Sequence, residues 1–318
     1  MKLIIRKNID PYFNIAAEEH FLKTFSDDII MVWQSSPSVI VGKHQNTMAE
    51  INLNYVNKHN IPVIRRISGG GTVYHDEGNI NYSIITSSEN REQLVNFKSF
   101  TKPVIGFLDS LGLKTVFEGK NNLTIDGKKF SGNSAHVFKN RILNHGTLLF
   151  NANLDNLEAA ICPGNFSISD KAVKSIRANV TNLLDQLREP ISIEIFTDKL
   201  ISYFRNYFNI DSITQLSGND ETSIAELVET KYKLWDWNYG YSPKYNYTYE
   251  NGGIKINIEI NKGIIERIVI DGNISFKDEV CASLINLPYK KEVIINTISK
   301  FKVNVNDVDL YMILLGIS

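Results

Sequence analysis

The chain has 318 residues, 43% of them hydrophobic and 22% charged, with a formal net charge of -1 and a pI near 6.6. Such a chain can bury a sizeable core and suits about two globular domains, and its balanced charge gives no electrostatic footprint for nucleic acid or a membrane surface. No run approaches the ~18 apolar residues of a membrane span, and the N-terminal MKLIIRKNID lacks a signal-peptide core. Cys162 and Cys281 are too few for a disulfide framework, so a cytoplasmic, reducing setting is expected.

In chain order, KLIIR reads as a strand and DPYFNIAAEEHFLKTF as a helix, with Asp10 as N-cap, Pro11 at the first helical position and an apolar face through Phe13, Ala16, Ala17 and Phe21. IIMVWQS and SVIVG are β-rich runs on either side of Ser36 and Pro37, which predicts a hairpin ending at Gly42. NLNYVNKHN is expected as helix, PVIRR and NINYSIIT as strands, and a further helix near 92 to 112. In NLTIDGKKFSG, Asp126 and Gly127 form the centre of a two-residue hairpin, and RILNHGTLLFNANL supplies the next strand. The density of strands with intervening helices indicates an α+β or mixed α/β domain. Five aromatics and a proline crowd KLWDWNYGYSPKY, after which two alternating strands turn around Asn261 to Gly263 and helical patterns follow near 276 to 286, near 292 to 300 and at the C-terminus. The reading is a larger unit over 1–245 and a small second unit over 246–318.

Two stretches concentrate chemistry. RRISGGGTVYHDEGN joins two strands and sets three glycines between Arg65 and Arg66 on one side and Tyr74, His75 and Asp76 on the other. It is not a P-loop, and Tyr74 stands where a dinucleotide fingerprint needs its third glycine. What remains is either a structural turn or a loop whose free backbone N–H groups lie against an acid or phosphate. In DGKKFSGNSAH, Lys128 and Lys129 point to opposite faces of a strand, so only one can face a pocket. Ser131 and Gly132 permit close backbone approach, and NHGTLLF adds His145, Gly146 and Thr147. Taken singly, a lysine is most often solvated and a histidine most often has no chemical role.

RRISGGGTVYHDEGNINYS, GKNNLTIDGKKFSGNSAH, NHGTLLFNANL and KSIRANVTNL, in this order, resemble lipoate protein ligase A, within the superfamily it shares with biotin ligases and octanoyl transferases. The resemblance runs from DPYFNIAAEEHFL and SVIVGKHQN into the C-terminal region. It implies an α+β, class II synthetase-like biotin/lipoate ligase catalytic domain with a small α/β accessory domain. It also implies a two-step activity: lipoate and ATP, with Mg2+ accompanying the nucleotide, give lipoyl adenylate and pyrophosphate. The lipoyl group then passes to a lysine of a carrier such as an E2 lipoyl domain or the glycine cleavage H protein, without nucleic acid or membrane.

By the same resemblance, Lys129 is the catalytic lysine that binds the carboxylate and α-phosphate oxygens, where its charge offsets the negative charge of the reacting anions. Arg66, Ser68, Gly70, Gly71, Thr72, Val73, Tyr74, His75, Asn79, Ser131, His145, Thr147, Ser175 and Arg177 fall on the ATP- and substrate-binding positions, with Trp33, Tyr74, Gly71 and His145 at the lipoate slot. Asn179 replaces a second basic residue found in many members. The family's Asn-Asp pair is here Asn121 and Asn122, which removes a hard-cation ligand and leaves only weak oxygens for a metal. Two alternatives follow: a cysteine-dependent octanoyl or lipoyl transferase using Cys162, and a non-catalytic lipoate-binding protein, suggested by Asn122 and Asn179.

Overall fold

The computed structural model describes residues 1–87, 95–162, 164, 166–305 and 308–316. Ten strands lie between residues 2 and 149: β1 Lys2–Arg6, β2 Ile29–Trp33, β3 Ser38–Val41, β4 Val63–Arg65, β5 Val73–His75, β6 Asn79–Ser87, β7 Val116–Glu118, β8 Asn122–Ile125, β9 Lys128–Phe138 and β10 Arg141–Leu149. Seven of them form one sheet in the order β1-β2-β6-β10-β9-β8-β7, and a three-stranded sheet has the order β4-β3-β5. The mixture of strands and helices is α+β, as expected.

The expected hairpin around Pro37 does not form. β2 pairs with β1 and β6 in the large sheet, whereas β3 pairs with β4 and β5 in the small one. Every residue of both strands is buried, so neither has an alternating pattern that would favour one partner, and the turn signal between them fixes only a change of direction. The hairpin at Asp126 and Gly127 does form, and both residues adopt the positive φ (48° and 72°) that a two-residue turn of this kind requires. The predicted helix near 92 to 112 is two helices, Phe97–Phe100 and Lys102–Ser110; its first residues, through 94, lie outside the described residues.

The helix Pro11–Thr24 starts where Asp10 accepts hydrogen bonds from the N–H groups of Tyr12 and Phe13. Ala16, Ala17 and Phe21 are buried, Phe13 only partly. Asn14, Glu18, Glu19 and His20 are buried as well, so this helix lies inside the molecule and its polar residues must find partners there. Beyond Leu149, β11 Ser167–Asp170, β12 Tyr245–Asn251, β13 Ile254–Asn261 and β14 Ile264–Asp271 form a four-stranded sheet in chain order. The boundary read near residue 245 is where β12 begins, while β11 joins the same sheet from the preceding part of the chain. Helices Lys277–Leu284, Lys291–Ile298 and Leu310–Leu315 follow.

Candidate active site

A cavity of about 470 Å3 opens between the end of the glycine loop, the β9–β10 pair and the segment 174–180. Thr72, Val73, Tyr74, Lys129, Ser131, Thr147, Ser175 and Arg177 all line it, from four separate stretches of the sequence. The Asp126–Gly127 turn sets the phase of β9, so that Lys128 is exposed while the half-buried Lys129 faces the cavity. The Lys129 main chain is clamped by the Asn179 carbonyl and the Thr181 N–H (2.8 and 3.0 Å). Burial, and then the nearby Arg66 guanidinium, lower the Lys129 pKa from the ordinary lysine range. Its ammonium is so close to Gly132 that a Cβ there would sit 3.1 Å from Nζ.

The glycine loop is held from behind. Arg66, buried, donates to the carbonyls of Ile40 (3.0 Å), Gly69 (2.5 Å) and Gly71 (2.8 Å), and its Nε donates to Ser68 Oγ (3.0 Å). Burial pushes its pKa down to about 10. Ser68 Oγ lies 2.6 Å from His145 Nε2, and His145 Nδ1 lies 2.9 Å from both carboxylate oxygens of Glu18. A polar chain thus runs from the glycine loop to the buried helix Pro11–Thr24, and Glu18 supplies the negative charge that faces Arg66. Gly70 has φ +83°, and a Cβ on Gly42 would meet the Gly70 carbonyl at 2.1 Å. The loop's path therefore requires glycine at both positions.

Ser175 latches the segment 174–180 onto this loop. Its Oγ accepts from the Thr72 N–H (2.9 Å) and from Gln45 Nε2 (3.0 Å), while its hydroxyl donates to the Glu50 carboxylate. Gly71 packs directly against it. Ile176, beside Arg177 at the cavity edge, is 92% exposed. Arg177 Nη2 reaches Cys162 Sγ at 3.5 Å, and Cys162 also lines the cavity.

The remaining sequence candidates lie behind the cavity wall. Asn79 donates to Thr147 Oγ1 (3.1 Å). Tyr74, by contrast, is part of the cavity lining although it is buried, and burial followed by Asp76 pushes its pKa up to about 12. His75 is packed edge-on to Trp33 with ring centroids 5.6 Å apart. Burial, then Arg66 and His145, pull its pKa down to about 3. Trp33 Nε1 donates to Ser83 Oγ, which donates in turn to Glu18. Trp33, His75 and His145 do not line the described cavity. Neither do Asn121 and Asn122: the Asn121 amide donates to the Asn133 carbonyl, and Asn133 Nδ2 returns a bond to the Asn121 carbonyl (3.0 Å). Among the described residues no group of three or more His, Cys, Asp or Glu could hold a metal ion. Asn121 and Asn122, carrying no charge and lying outside the cavity lining, do not fit a protein-held magnesium site.

The arrangement is a cleft with three cations beside the end of the glycine loop: Lys129, Arg177 and Lys174, the last paired with Asp170. The family model for the lipoyl protein ligase A/B catalytic domain matches residues 10–205. The chain belongs to this family. The model for the bacterial lipoate protein ligase C-terminus matches residues 239–309 of the same chain. This lipoyl ligase family member is 38% identical over 280 residues to lipoate protein ligase 1 of Staphylococcus aureus, covering 86% of this chain and 85% of that one. An archaeal bi-partite lipoate protein ligase of Thermoplasma acidophilum, described with its E2 lipoyl domain, has a TM-score of 0.66 and 26% identity, covering 76% of this chain and 96% of that one. A lipoate protein ligase A bound with ATP gives a TM-score of 0.65 at 26% identity, over 76% and 98% of the two chains.

Sequence reasoning missed Glu18, Gln45 and Glu50. Gln45 accepts from the Gly42 N–H and from Thr72 Oγ1 (2.9 Å each) and donates to Ser175, so it joins three loops. No spacing rule links these residues to the motifs they hold. The one local signal was for Glu18: a carboxylate on a helix whose apolar neighbours are all buried needs a partner. Asn81, on β6 opposite Trp33, was missed too, and both polar atoms of its buried amide lack a partner.

Proposed function

We propose that this lipoate protein ligase family member activates lipoate in the cavity beside Lys129. The lipoate carboxylate attacks the α-phosphorus of ATP, the bond to the β-phosphate oxygen breaks, and lipoyl adenylate and pyrophosphate form. The amine of a carrier lysine then attacks the acyl carbon, AMP leaves, and the amine's surplus proton passes to solvent. The observation that carries this reading is the convergence of Lys129, the Thr72–Tyr74 loop edge and Arg177 on one cavity. Two anions must meet in the first step, and a partly desolvated ammonium offsets their charge more effectively than a solvated one. The Thr72 N–H, now bonded to Ser175 Oγ, is a donor that a phosphate oxygen would take over.

Magnesium would come with the nucleotide and neutralise phosphate charge. The residues of this chain bind, orient and screen without it. Lys129 and Arg177 face the reacting groups, while Arg66, Ser68, His145 and Glu18 fix the loop. The ATP-bound relative and the one described with its lipoyl domain support ATP as co-substrate and a lipoyl domain as acceptor; E2 lipoyl domains and the glycine cleavage H protein are the proposed carriers.

The test is pyrophosphate release with ATP and lipoate, followed by the mass of an added apo lipoyl domain. Wild type should release pyrophosphate only with lipoate, and Lys129→Ala should lower the rate by about a hundredfold or more. Cys162 lines the same cavity, which gives the transferase reading its one structural support. Cys162→Ser should leave pyrophosphate release intact. Acyl transfer from an acylated carrier without ATP, lost in Cys162→Ser, would establish the transferase instead.

A further inference from the structure

Basic side chains gather along one flank of the glycine loop. Lys23 and Lys139 both approach the Phe138 ring, at 5.6 and 5.3 Å from its centroid. Lys23 and Lys231 both pair with Glu19 at 2.6 Å, and Lys231 lies over Trp237 at 4.0 Å. Next to them on β9 is His136, whose pKa falls to about 4 through burial, with Lys43, Lys23 and Lys231 adding to the fall and Glu19 opposing it. Lys23, Lys43 and Lys231 thus act on one imidazole, while Lys139 lies by the ring of Phe138, two residues along the same strand. Lys43 ties the group to the loop: its N–H donates to the Ser68 carbonyl (2.8 Å). Ser134, two residues before His136 and on the same face of β9, donates to the Gly69 carbonyl (2.8 Å).

The negative charge among them is already committed. Glu19 is buried and shared by Lys23, Lys231 and the Tyr232 hydroxyl, whereas the Lys23 side chain is 43% exposed and Lys139 is exposed. The whole chain carries a net charge of -1, so this surplus is a local segregation of cations. Like charges held together on a surface repel one another, and an anionic partner relieves that repulsion.

We propose that this flank, Lys23, Lys43 and Lys231 by His136 and Lys139 by Phe138, is the docking surface for an acidic face of the acceptor carrier domain, and that it holds the carrier so that its target lysine meets the glycine loop. The proposal rests on the ligase reading for the identity of the partner. Electrostatic docking of this kind acts on encounter and affinity, and it weakens as salt screens the charges.

The experiment is fluorescence anisotropy of a labelled apo E2 lipoyl domain of net negative charge, titrated with the full chain, which needs no catalysis. Lys43→Glu combined with Lys139→Glu should weaken binding about tenfold at low salt. Raising salt from about 25 to about 250 mM should weaken wild-type binding and barely alter that of the variant. Pyrophosphate release with lipoate should be equal in the two proteins, which also establishes that the variant is folded. If the variant loses that activity, Lys139→Glu alone and the salt dependence of wild type decide the matter. Wild-type affinity that is indifferent to both salt and charge reversal overturns the docking surface, as does a variant that loses binding only to an oligonucleotide or an anionic vesicle. Absence of pyrophosphate release from wild type would instead count against the ligase reading, and the binding result would stand apart from it.

Discussion

Arg65 and Arg66 are neighbours in the sequence and serve different ends. Arg65, fully buried, donates to the carbonyls of Gly42, Lys43, Gln45, Trp237 and Asn238 and to the hydroxyls of Thr47 and Ser242. It fastens the loop after β3 to the segment that leads into the C-terminal sheet. Arg66 shapes the glycine loop. Both are pulled down to about 10 by burial, and what holds them is carbonyl oxygens and hydroxyls in place of a carboxylate. His75 has its pKa lowered chiefly by its own burial and then by Arg66 and His145, and the effect is measurable. Its folded pKa of about 3 lies below the ordinary 6.5, so between those values the unfolded chain binds a proton that the folded chain refuses. Its contribution to stability is complete above pH about 6.5 and is lost as pH falls, at up to about 1.4 kcal/mol per pH unit. In urea unfolding from pH 7 to pH 4, His75→Gln should flatten this slope; parallel slopes would mean that His75 accepts a proton in the native state. The glycine motif was legible in the sequence. Which arginine faces which partner was not, because a one-residue step reverses the direction of a strand side chain and the small sheet sets that phase.

Among the elements, the helix Pro11–Thr24 was read from its cap and its apolar spacing, and the Asp10 side chain does hold the N–H groups of Tyr12 (2.9 Å) and Phe13 (3.3 Å). Asp10→Ala should cost about 1 kcal/mol in denaturant unfolding, and Asp10→Asn much less, since the amide oxygen still accepts. Equal losses in the two variants would assign the effect to charge rather than to capping. The Asp126–Gly127 hairpin was legible for a similar reason: two consecutive residues with positive φ leave few sequences to choose from. The β2–β3 pairing was misread. Pro37 marks a turn, yet the partners of two fully buried strands are chosen by the sheets around them.

At the scale of the whole molecule, the C-terminal sheet shares its core with the catalytic part. Val39, Val41, Met48, Ile51 and Tyr74 belong to one buried cluster with Tyr247, Ile256 and Ile258. A chain ended after Pro243 would uncover that cluster and leave β11 without its partner β12. We expect such a chain to aggregate, or to bind a hydrophobic dye while losing near-UV circular dichroism. A monomeric, dye-silent fragment with native dichroism would mean that the first unit closes its own core.

The sequence by itself determined what short-range chemistry can specify: the capped first helix, the two-residue turn that aims Lys129, and four ordered motifs sufficient to suggest the family. The tertiary structure decided which of the motif residues meet in the cavity and which stand behind it. Ser175 finds Thr72 across 103 residues and Glu18 finds His145 across 127. Contacts at that separation are selected by the packing of buried faces and by the need to pair every polar group taken out of water, and neither leaves a local pattern to read.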